Sequence, residues 1–412
     1  MTRSDTASAT AETTTDPIPA FPMVREPRCP FDPPPAGSAA REAGPLSRVE
    51  LADGTTPWFV TRYAEQRALL SDPRISADVT RPGYPVPASG GSTSSPFSFI
   101  LMDDPEHARL RRMVTAPFMV KRVEAMRPSV QQIVDELIDD MLTTGGVVDL
   151  VQSFALPMPS LVICRLLGVP YSDHSFFQRN SNALINRQAS PQQRRQAVEE
   201  LVEYLHGLLE LKKKQPGEDI FSDLAAKTET GDLSRDDAAM MGVLLLVAGH
   251  ETTANMIALG SLALLEHPSE LKKLQESDDP AFVSSAVEEL LRYLTITHDG
   301  RKRVALEDIE IDGDTIRAGE GVIMATDLAN RDRSAFPDPD TLDLERDARH
   351  HVAFGFGVHQ CLGQPLARME LQVAYSTLFR RIPNLRLATT LDKVPFKHDG
   401  SVYGVYELPV TW

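Results

Sequence analysis

The chain has 412 residues, of which 42% are hydrophobic and 24% are charged. This is an ordinary globular composition, and it excludes collagen-like, low-complexity and largely disordered proteins. The formal net charge is −16, which argues against general binding to nucleic acid or to anionic membranes, since both need a basic surface.

The N-terminal region is expected to carry little regular structure. Residues 1–20 are rich in Thr, Ser and Ala and lack the apolar core of a secretory signal, so they are expected to form a disordered tail. A proline-rich stretch, Cys29–Pro35, predicts extended chain without regular structure up to about residue 45. Residues 21–412 are expected to form a single domain.

Helical periodicity dominates the rest of the chain, after a short strand at Trp58–Val60, a helix at 64–70 and a long irregular loop at 81–98. Ten further helices are predicted, at about 105–117, 121–144, 153–167, 173–186, 191–214, 218–227, 234–266, 268–276, 280–294 and 362–381.

Two hairpins are expected among these helices. One lies between Arg303 and Ile323, where apolar and polar residues alternate before a Gly turn, and the other lies around Val402 to Leu408. Strands and helices do not alternate regularly, so a doubly wound sheet is not expected. The prediction is a mostly helical fold with a small β-rich part.

Neither a membrane span nor a disulfide framework is expected. The longest strongly apolar run, Val243 to Ala248, is far shorter than the ~20 residues of a spanning helix. Three cysteines, Cys29, Cys164 and Cys361, are too few for a framework of disulfides. A cytoplasmic protein without membrane insertion is therefore expected.

The helix predicted at 234–266 is far longer than the usual length of about 11–12 residues. Its apolar sequence is interrupted by Ala248-Gly249-His250-Glu251-Thr252-Thr253. Glycine weakens a helix, and threonine does so slightly. Two interpretations stay open at this point, a kink beside a bound molecule or a local packing irregularity.

The segment Phe354–Gly363, FGFGVHQCLG, carries the strongest chemical signal. Two glycines spaced by one residue permit tight turns with positive φ. Cys361 immediately precedes a predicted helix, whose N-terminal partial charge and free N–H groups would stabilise a thiolate. A buried cysteine in a glycine-rich turn is the structural alternative, but the complete ten-residue string is too specific for it.

This string resembles the haem-binding loop of the cytochromes P450, the haem-thiolate monooxygenases. The resemblance implies that Cys361 is the axial thiolate ligand of the iron in haem b. It also implies that Phe354 packs on the thiolate side of the haem and that His359 meets a propionate, with Gly363 in the same cofactor-binding loop. The haem is expected between the long central helix and the Cys loop.

Further resemblances place other residues around the haem. His107 and Arg111 are four residues apart on one predicted helix face, which suits two donors to one carboxylate, and they resemble the family's propionate-binding helix. Arg303 resembles its third propionate anchor. Within the polar segment of the long helix, Glu251 and Thr252 match the oxygen-activation motif, in which Thr252 would hydrogen-bond the oxygen and Glu251 would relay protons to it.

A structural triad is implied on the thiolate side of the haem. Glu289 and Arg292 are three residues apart, a spacing that alone predicts only an ion pair on one helical face. They match the family's Glu-x-x-Arg motif, and Arg346 matches the arginine that completes the triad.

Parts of the sequence also suggest three rival functions. A cysteine hydrolase would need Cys361 free and a separate base, for which His359 is a candidate only by nearness in sequence. A zinc protease is suggested by His250-Glu251, but Ala254 breaks the His-Glu-x-x-His pattern. A haem carrier or sensor would share Cys361 but would not need the pair Glu251-Thr252.

The resemblance implies hydroxylation of an apolar small molecule with O2 and NAD(P)H. The substrate is left open among secondary metabolites, terpenoids or steroids, macrolides and xenobiotics. The expected pocket residues are Leu244, Val247, Ala248, Thr295, Ile296 and Val402, with the 81–98 loop.

No Gly-x-Gly-x-x-Gly fingerprint for flavin or nicotinamide is present, so electrons are expected to arrive from a separate protein. The resemblance implies that this protein is an acidic ferredoxin with its reductase. Its docking surface is expected between residues 107 and 127. Six basic residues lie there against one acid, Glu124: Arg109, Arg111, Arg112, Lys121, Arg122 and Arg127.

Overall fold

The computed structural model describes residues 18–85 and 99–412. Thirteen α-helices lie within these ranges: α1 (Pro35–Ala43), α2 (Tyr63–Ser71), α3 (Glu106–Thr115), α4 (Val120–Thr144), α5 (Pro157–Leu167), α6 (His174–Ile185), α7 (Pro191–Lys214), α8 (Ile220–Thr230), α9 (Arg235–Glu266), α10 (Pro268–Glu276), α11 (Pro280–Leu294), α12 (Thr326–Ala329) and α13 (Gln364–Arg381). The mostly helical fold predicted from the sequence is confirmed, and all ten helices predicted after residue 100 are present.

The β-rich part is small and consists of short strands: β1 (Leu46–Arg48), β2 (Trp58–Val60), β3 (Ile75–Ser76), β4 (Val148–Asp149), β5 (Arg301–Ala305), β6 (Ile309–Ile311), β7 (Asp314–Ile316), β8 (Gly321–Met324), β9 (Arg386–Leu387) and β10 (Pro409–Thr411). The largest sheet has the order β1-β2-β8-β5-β3, and β2 and β8 are parallel. Strands β6 and β7 form the first predicted hairpin, with positive φ at Asp312 and Gly313 in its turn.

Helix α9 is the centre of the helical core. It is apolar around nearly its whole circumference, as expected of a helix enclosed by others, and it packs against α5, α7 and α13. The Ser234 hydroxyl caps its start by accepting from the Asp237 backbone N–H at 2.9 Å. Among the described helices, α9 alone is long and apolar enough to cross a membrane, but 83% of its apolar window is buried inside the protein.

The polar segment Ala248–Thr253 does not break α9. The helix is continuous over 32 residues. The Thr252 hydroxyl donates to the Ala248 carbonyl at 2.8 Å, and the Asn255 amide donates to the Glu251 carbonyl at 2.7 Å. These side chains bond to their own helix, so the interruption affects the apolar pattern and not the backbone.

The sequence-based prediction was wrong at the proline-rich stretch. Residues 35–43, expected to lack regular structure, form α1, because Pro35 occupies the first helical turn, where its missing N–H costs little. The ordered chain also begins before residue 21, since Ala20 already pairs with Glu50. The rest of the proposed tail, residues 1–17, lies outside the described residues.

The second predicted hairpin, around Val402 to Leu408, is present in a shifted position. Phe396 and Val405 form an antiparallel bridge, and beside it the Lys397 backbone N–H donates to the Gly404 carbonyl and the Tyr406 N–H donates to the Pro395 carbonyl, both at 2.8 Å. The pairing therefore joins residues 395–397 to residues 404–406, whereas the next strand, β10, pairs with β4 and β9.

Candidate active site

A cavity of about 510 Å³ lies between α9, β5 and the loop that carries Cys361. Its α9 side is a stripe of residues at helical spacing, Leu244, Leu245, Ala248, Gly249, Thr252, Thr253 and Met256. Side chains three and four residues apart share a helix face, so this stripe is a consequence of the helix itself. The opposite side is formed by the Cys loop and the start of α13.

The loop before α13 is shaped by two glycines, as its sequence predicts. Gly355 and Gly357 have φ of +74° and +73°, values that favour glycine. A Cβ at Gly357 would lie 2.2 Å from the Leu70 carbonyl oxygen, so no side chain fits there. The Cys361 backbone N–H then donates to the Phe354 carbonyl at 2.9 Å, which closes the loop with Cys361 on the cavity wall.

Cys361 is accessible from the cavity, although protein surrounds it otherwise. Burial raises the pKa of its thiol, while the Gly363 backbone N–H and the charges of Arg301, Arg111 and Arg368 act in the opposite direction. The sulfur thus sits in an electropositive corner of an otherwise apolar cavity.

Three arginines line the cavity close to this sulfur. Arg111 on α3 donates to the Gln360 carbonyl at 2.5 Å, and Arg303 on β5 donates to the Lys302 carbonyl at 2.7 Å. Arg301, two residues before Arg303, donates to the Ala353 carbonyl at 3.0 Å. Within the described part of the chain none of the three forms an ion pair with a carboxylate.

The sequence reasoning missed Arg301. Its signal was the alternation of strand β5, because residues i and i+2 of a strand point to the same face and Arg303 was already assigned to the cavity. Burial, together with the charge of neighbouring Arg303, lowers the pKa of Arg301 to about 10.

His107 and His359 stack with ring centroids 4.1 Å apart. His359 is on the cavity wall, whereas His107 lies behind it and is held by Asp104 at 3.0 Å. Nε2 of His107 and Nδ1 of His359 are buried without hydrogen-bond partners in the described structure. Burial lowers the pKa of His359 to about 3, so the ring is neutral.

The pair Glu251 and Thr252 is divided between two environments. Thr252 lines the cavity, across from Cys361, but Glu251 points into the protein and is 6% exposed. Burial acts to raise the pKa of Glu251, but His250, whose Nε2 lies 3.6 Å from the carboxylate, together with Lys397 and Asn255, keeps it below the ordinary value. The residue that precedes the cavity-facing Thr252 in the helix therefore carries a buried, ionised carboxylate.

The three residues of the implied triad do lie together. Arg292 contacts both carboxylate oxygens of Glu289, at 2.7 and 2.8 Å, and Arg346 contacts Glu289 at 3.2 Å. Glu289 and Arg292 are completely buried.

Half of the predicted pocket residues are on the cavity wall formed by the described residues. Leu244, Ala248 and Ile296 line it, and Tyr84 represents the predicted 81–98 loop, of which 86–98 lies outside the described residues. Phe354 and Gly363 also line the cavity.

The prediction was wrong for the other three residues, which do not line this wall: Val247, Thr295 and Val402. Val247 is buried beside the α9 stripe rather than in it. The Thr295 hydroxyl is turned inward, where it donates to the Arg292 carbonyl at 2.9 Å and accepts from the Asn330 amide at 2.8 Å. Val402 is buried as well, at 9% exposure.

Comparison with known proteins gives consistent matches over nearly the whole chain. The family model described as Cytochrome P450 matches residues 76–394. Cytochrome P450 GfsF of Streptomyces halstedii is 53% identical over 418 residues, which cover 99% of this chain and 100% of GfsF. Cytochrome P450-SU2 of Streptomyces griseolus is 54% identical over 394 residues, covering 95% of this chain and 96% of the relative.

Solved structures agree with these sequence matches. The crystal structure of GfsF has a TM-score of 0.91 at 55% identity and covers 96% of this chain and 100% of its own. MycCI of Micromonospora griseorubida, a mycinamicin VIII C21 methyl hydroxylase bound to mycinamicin VIII, has a TM-score of 0.90 at 40% identity, with the same coverages.

Proposed function

Since this chain belongs to the cytochrome P450 family of haem-thiolate monooxygenases, we propose that it hydroxylates an apolar organic molecule in the cavity between α9 and the Cys loop. The observation that supports this proposal is that Cys361 and Thr252 both line this cavity, one on the Cys loop and the other on α9. Neither a cysteine hydrolase nor a zinc protease agrees with the family, and a non-catalytic carrier would have no use for a hydroxyl preceded in the helix by a buried carboxylate.

The residues around the cavity fit haem b. Its two propionates need cationic and N–H donors, and the site offers three guanidiniums without carboxylate partners in the described structure, Arg111, Arg301 and Arg303. The unpartnered ring nitrogens of His107 and His359 lie beside them. Cys361 would supply the thiolate ligand, and Phe354 and Gly363 line the cavity beside it. When bound, the haem supplies the chemistry of O2 activation, which no protein side chain provides.

The protein's own contribution is to hold the substrate and to control protons. Leu244, Ala248 and Ile296 form an apolar wall that orients the substrate and excludes water. The Thr252 Oγ1 presents a hydroxyl at the cavity, and the next residue along the helix, Glu251, supplies a buried carboxylate that would accept and pass on protons. The substrate class proposed from this wall is an apolar secondary metabolite or xenobiotic.

A haem-loading experiment tests this function. We expect the purified, haem-loaded protein, once reduced under carbon monoxide, to show the absorption band that is characteristic of a thiolate-bound P450 haem. Cys361→Ala is expected to abolish that band because the ligand is lost, whereas Cys29→Ala and Cys164→Ala are expected to keep it. Retention of the band in Cys361→Ala, or equal loss in all three variants, would defeat the assignment.

Electrons are proposed to come from an acidic ferredoxin that docks on α3 and the start of α4. Arg112, Lys121 and Arg122 are exposed there, and none pairs with a carboxylate of the described residues. The other predicted members are less available. Arg109 and Arg127 pair with Glu106 and Glu124, each at 2.8 Å, and Arg111 is on the cavity wall. The contact of Arg111 with Gln360 places this surface beside the Cys loop.

The docking surface is tested by ferredoxin-dependent turnover of Arg112→Glu and Arg122→Glu at several ionic strengths. We expect slower association at low salt and convergence with the wild type at high salt, because exposed charges are screened. Arg179→Glu, at an exposed arginine of α6, is the control variant. Peroxide-driven turnover measures the activity of the active site independently of ferredoxin. Unchanged ferredoxin dependence in both docking variants at low salt would contradict the proposal.

A further inference from the structure

Arg301 stands out because it adds a cation to the cavity that the sequence motifs did not require. It is on β5 two residues before Arg303, and the side chains of both line the cavity. Strand geometry places them on the same face. The guanidinium of Arg301 is therefore held by the β-rich part, not by the helix that carries Arg111.

The side chain of Arg301 is fixed against the Cys loop. It donates to the Ala353 carbonyl at 3.0 Å, and its Nε would lie 2.9 Å from a Cβ at Gly355, which is why the loop passes so close to it. The next carbonyl, that of Phe354, accepts from the Cys361 backbone N–H at 2.9 Å. Arg301 thus contacts the short segment that is bonded directly to the cysteine.

The charge of Arg301 has no protein counter-ion in the described structure. Its Nε is buried without a partner, and the charged groups that influence it are Arg303 and Cys361. An uncompensated charge in such a place is costly, so the negative charge of the haem–thiolate centre itself is expected to offset it. Arg111 and Arg303 already offer one guanidinium for each haem propionate.

We propose that Arg301 gives the haem site a positive charge beyond those that two propionates require, and that this charge stabilises the reduced state of the haem–thiolate centre. Reduction adds one negative charge to the centre, and a cation held nearby favours that change, since net charge and hydrogen bonds to the ligand set the potential of such centres. The inference rests on the proposed haem-thiolate function.

The test is a spectroelectrochemical titration of the haem-loaded protein without substrate or ferredoxin. In Arg301→Met we expect the equilibrium constant for one-electron reduction to fall about tenfold, a midpoint shift of about 59 mV to more negative values. Arg301→Lys keeps the charge and is expected to stay within about threefold of the wild type. Arg333→Met, at a 79% exposed arginine, is the matched control for net charge and is expected to leave the midpoint unchanged.

The outcomes separate this inference from the proposed function. If the wild type shows no thiolate-type carbon monoxide band, the function itself is wrong. If that band is present but Arg301→Met has the wild-type midpoint, only the role of Arg301 is wrong. Loss of haem in Arg301→Met with retention in Arg301→Lys supports the need for a cation. Loss in both variants assigns Arg301 to holding the loop and overturns the charge proposal.

Discussion

Replacing Glu289 by Gln is expected to destabilise the protein strongly, because the change leaves the buried guanidinium of Arg292 without a carboxylate partner. Arg292 is fully buried and also donates to the carbonyls of Asn330 and Pro339, both at 2.8 Å, so it cannot turn to solvent. Glu289 additionally accepts from the Asp343 backbone N–H at 3.0 Å. Removing one partner of a buried ion pair costs about 3–5 kcal/mol.

This loss converts into a measurable shift of Tm. An unfolding entropy of about 2.1 cal/mol/K per residue gives about 0.9 kcal/mol/K for a chain of this size, so Glu289→Gln is expected to lower Tm by about 3–6 °C. The measurement is thermal unfolding of the haem-loaded protein followed by circular dichroism. Glu276→Gln is the control, since its pair with Lys272 is 67–70% exposed at 3.6 Å and contributes at most about 0.5 kcal/mol. Equal Tm values for the two variants would refute the reasoning.

Three further expectations concern the cavity, the Cys loop and pH. Thr252→Ala is expected to load haem normally but to yield several-fold less product per NAD(P)H, with the difference recovered as peroxide; unchanged coupling would remove Thr252 from proton control. Gly357→Ala is expected to destabilise the protein by about 1–3 kcal/mol, measured as a lower Tm, because its Cβ would meet the Leu70 carbonyl at a strained φ. Burial lowers the pKa of His298 to about 3, below its unfolded value of about 6.5. Folding therefore favours the neutral ring, and this contribution is present above about pH 6.5 and lost as pH falls toward 3. His298→Gln should show a shallower loss of Tm between pH 7 and 4, and an identical pH profile would contradict the assignment.

Local patterns in the sequence were sufficient for the helices and for the Cys loop. The capping serine at 234 and Pro268 delimit α9 in the sequence, and the structure has the helix at Arg235–Glu266. The two loop glycines were predicted to take positive φ, and both do. These features depend on residues within a few positions of one another, so one sequence contains the necessary information.

Contacts between distant segments were not predictable in the same way. Thr295 was expected at the pocket, but its hydroxyl bonds to Asn330, 35 residues away. Strand β10 pairs with β4, which comes from residues 148–149, and no local pattern indicates this pairing. Residue type alone did not distinguish Arg301 from a surface arginine, because its position depends on how β5 packs on the Cys loop. Side-chain direction at the end of a helix and pairing across a sheet are tertiary properties.

The electrostatics of the cavity also connect the cofactor to the stability of the fold. Arg111, Arg301 and Arg303 line the cavity without a carboxylate partner among the described residues. Arg301 and Arg303 repel each other, and the Arg301 Nε is buried without a hydrogen-bond partner, so the protein without its anionic group carries unneutralised charge beside the Cys loop. A group that binds only the folded chain stabilises it in proportion to the logarithm of its concentration over Kd. Because the three arginines come from segments nearly 200 residues apart, neutralising them joins the β-rich part to the helical core. On the proposed function, the arginines that would bind the propionates would also make the geometry around Cys361 depend on the cofactor being bound.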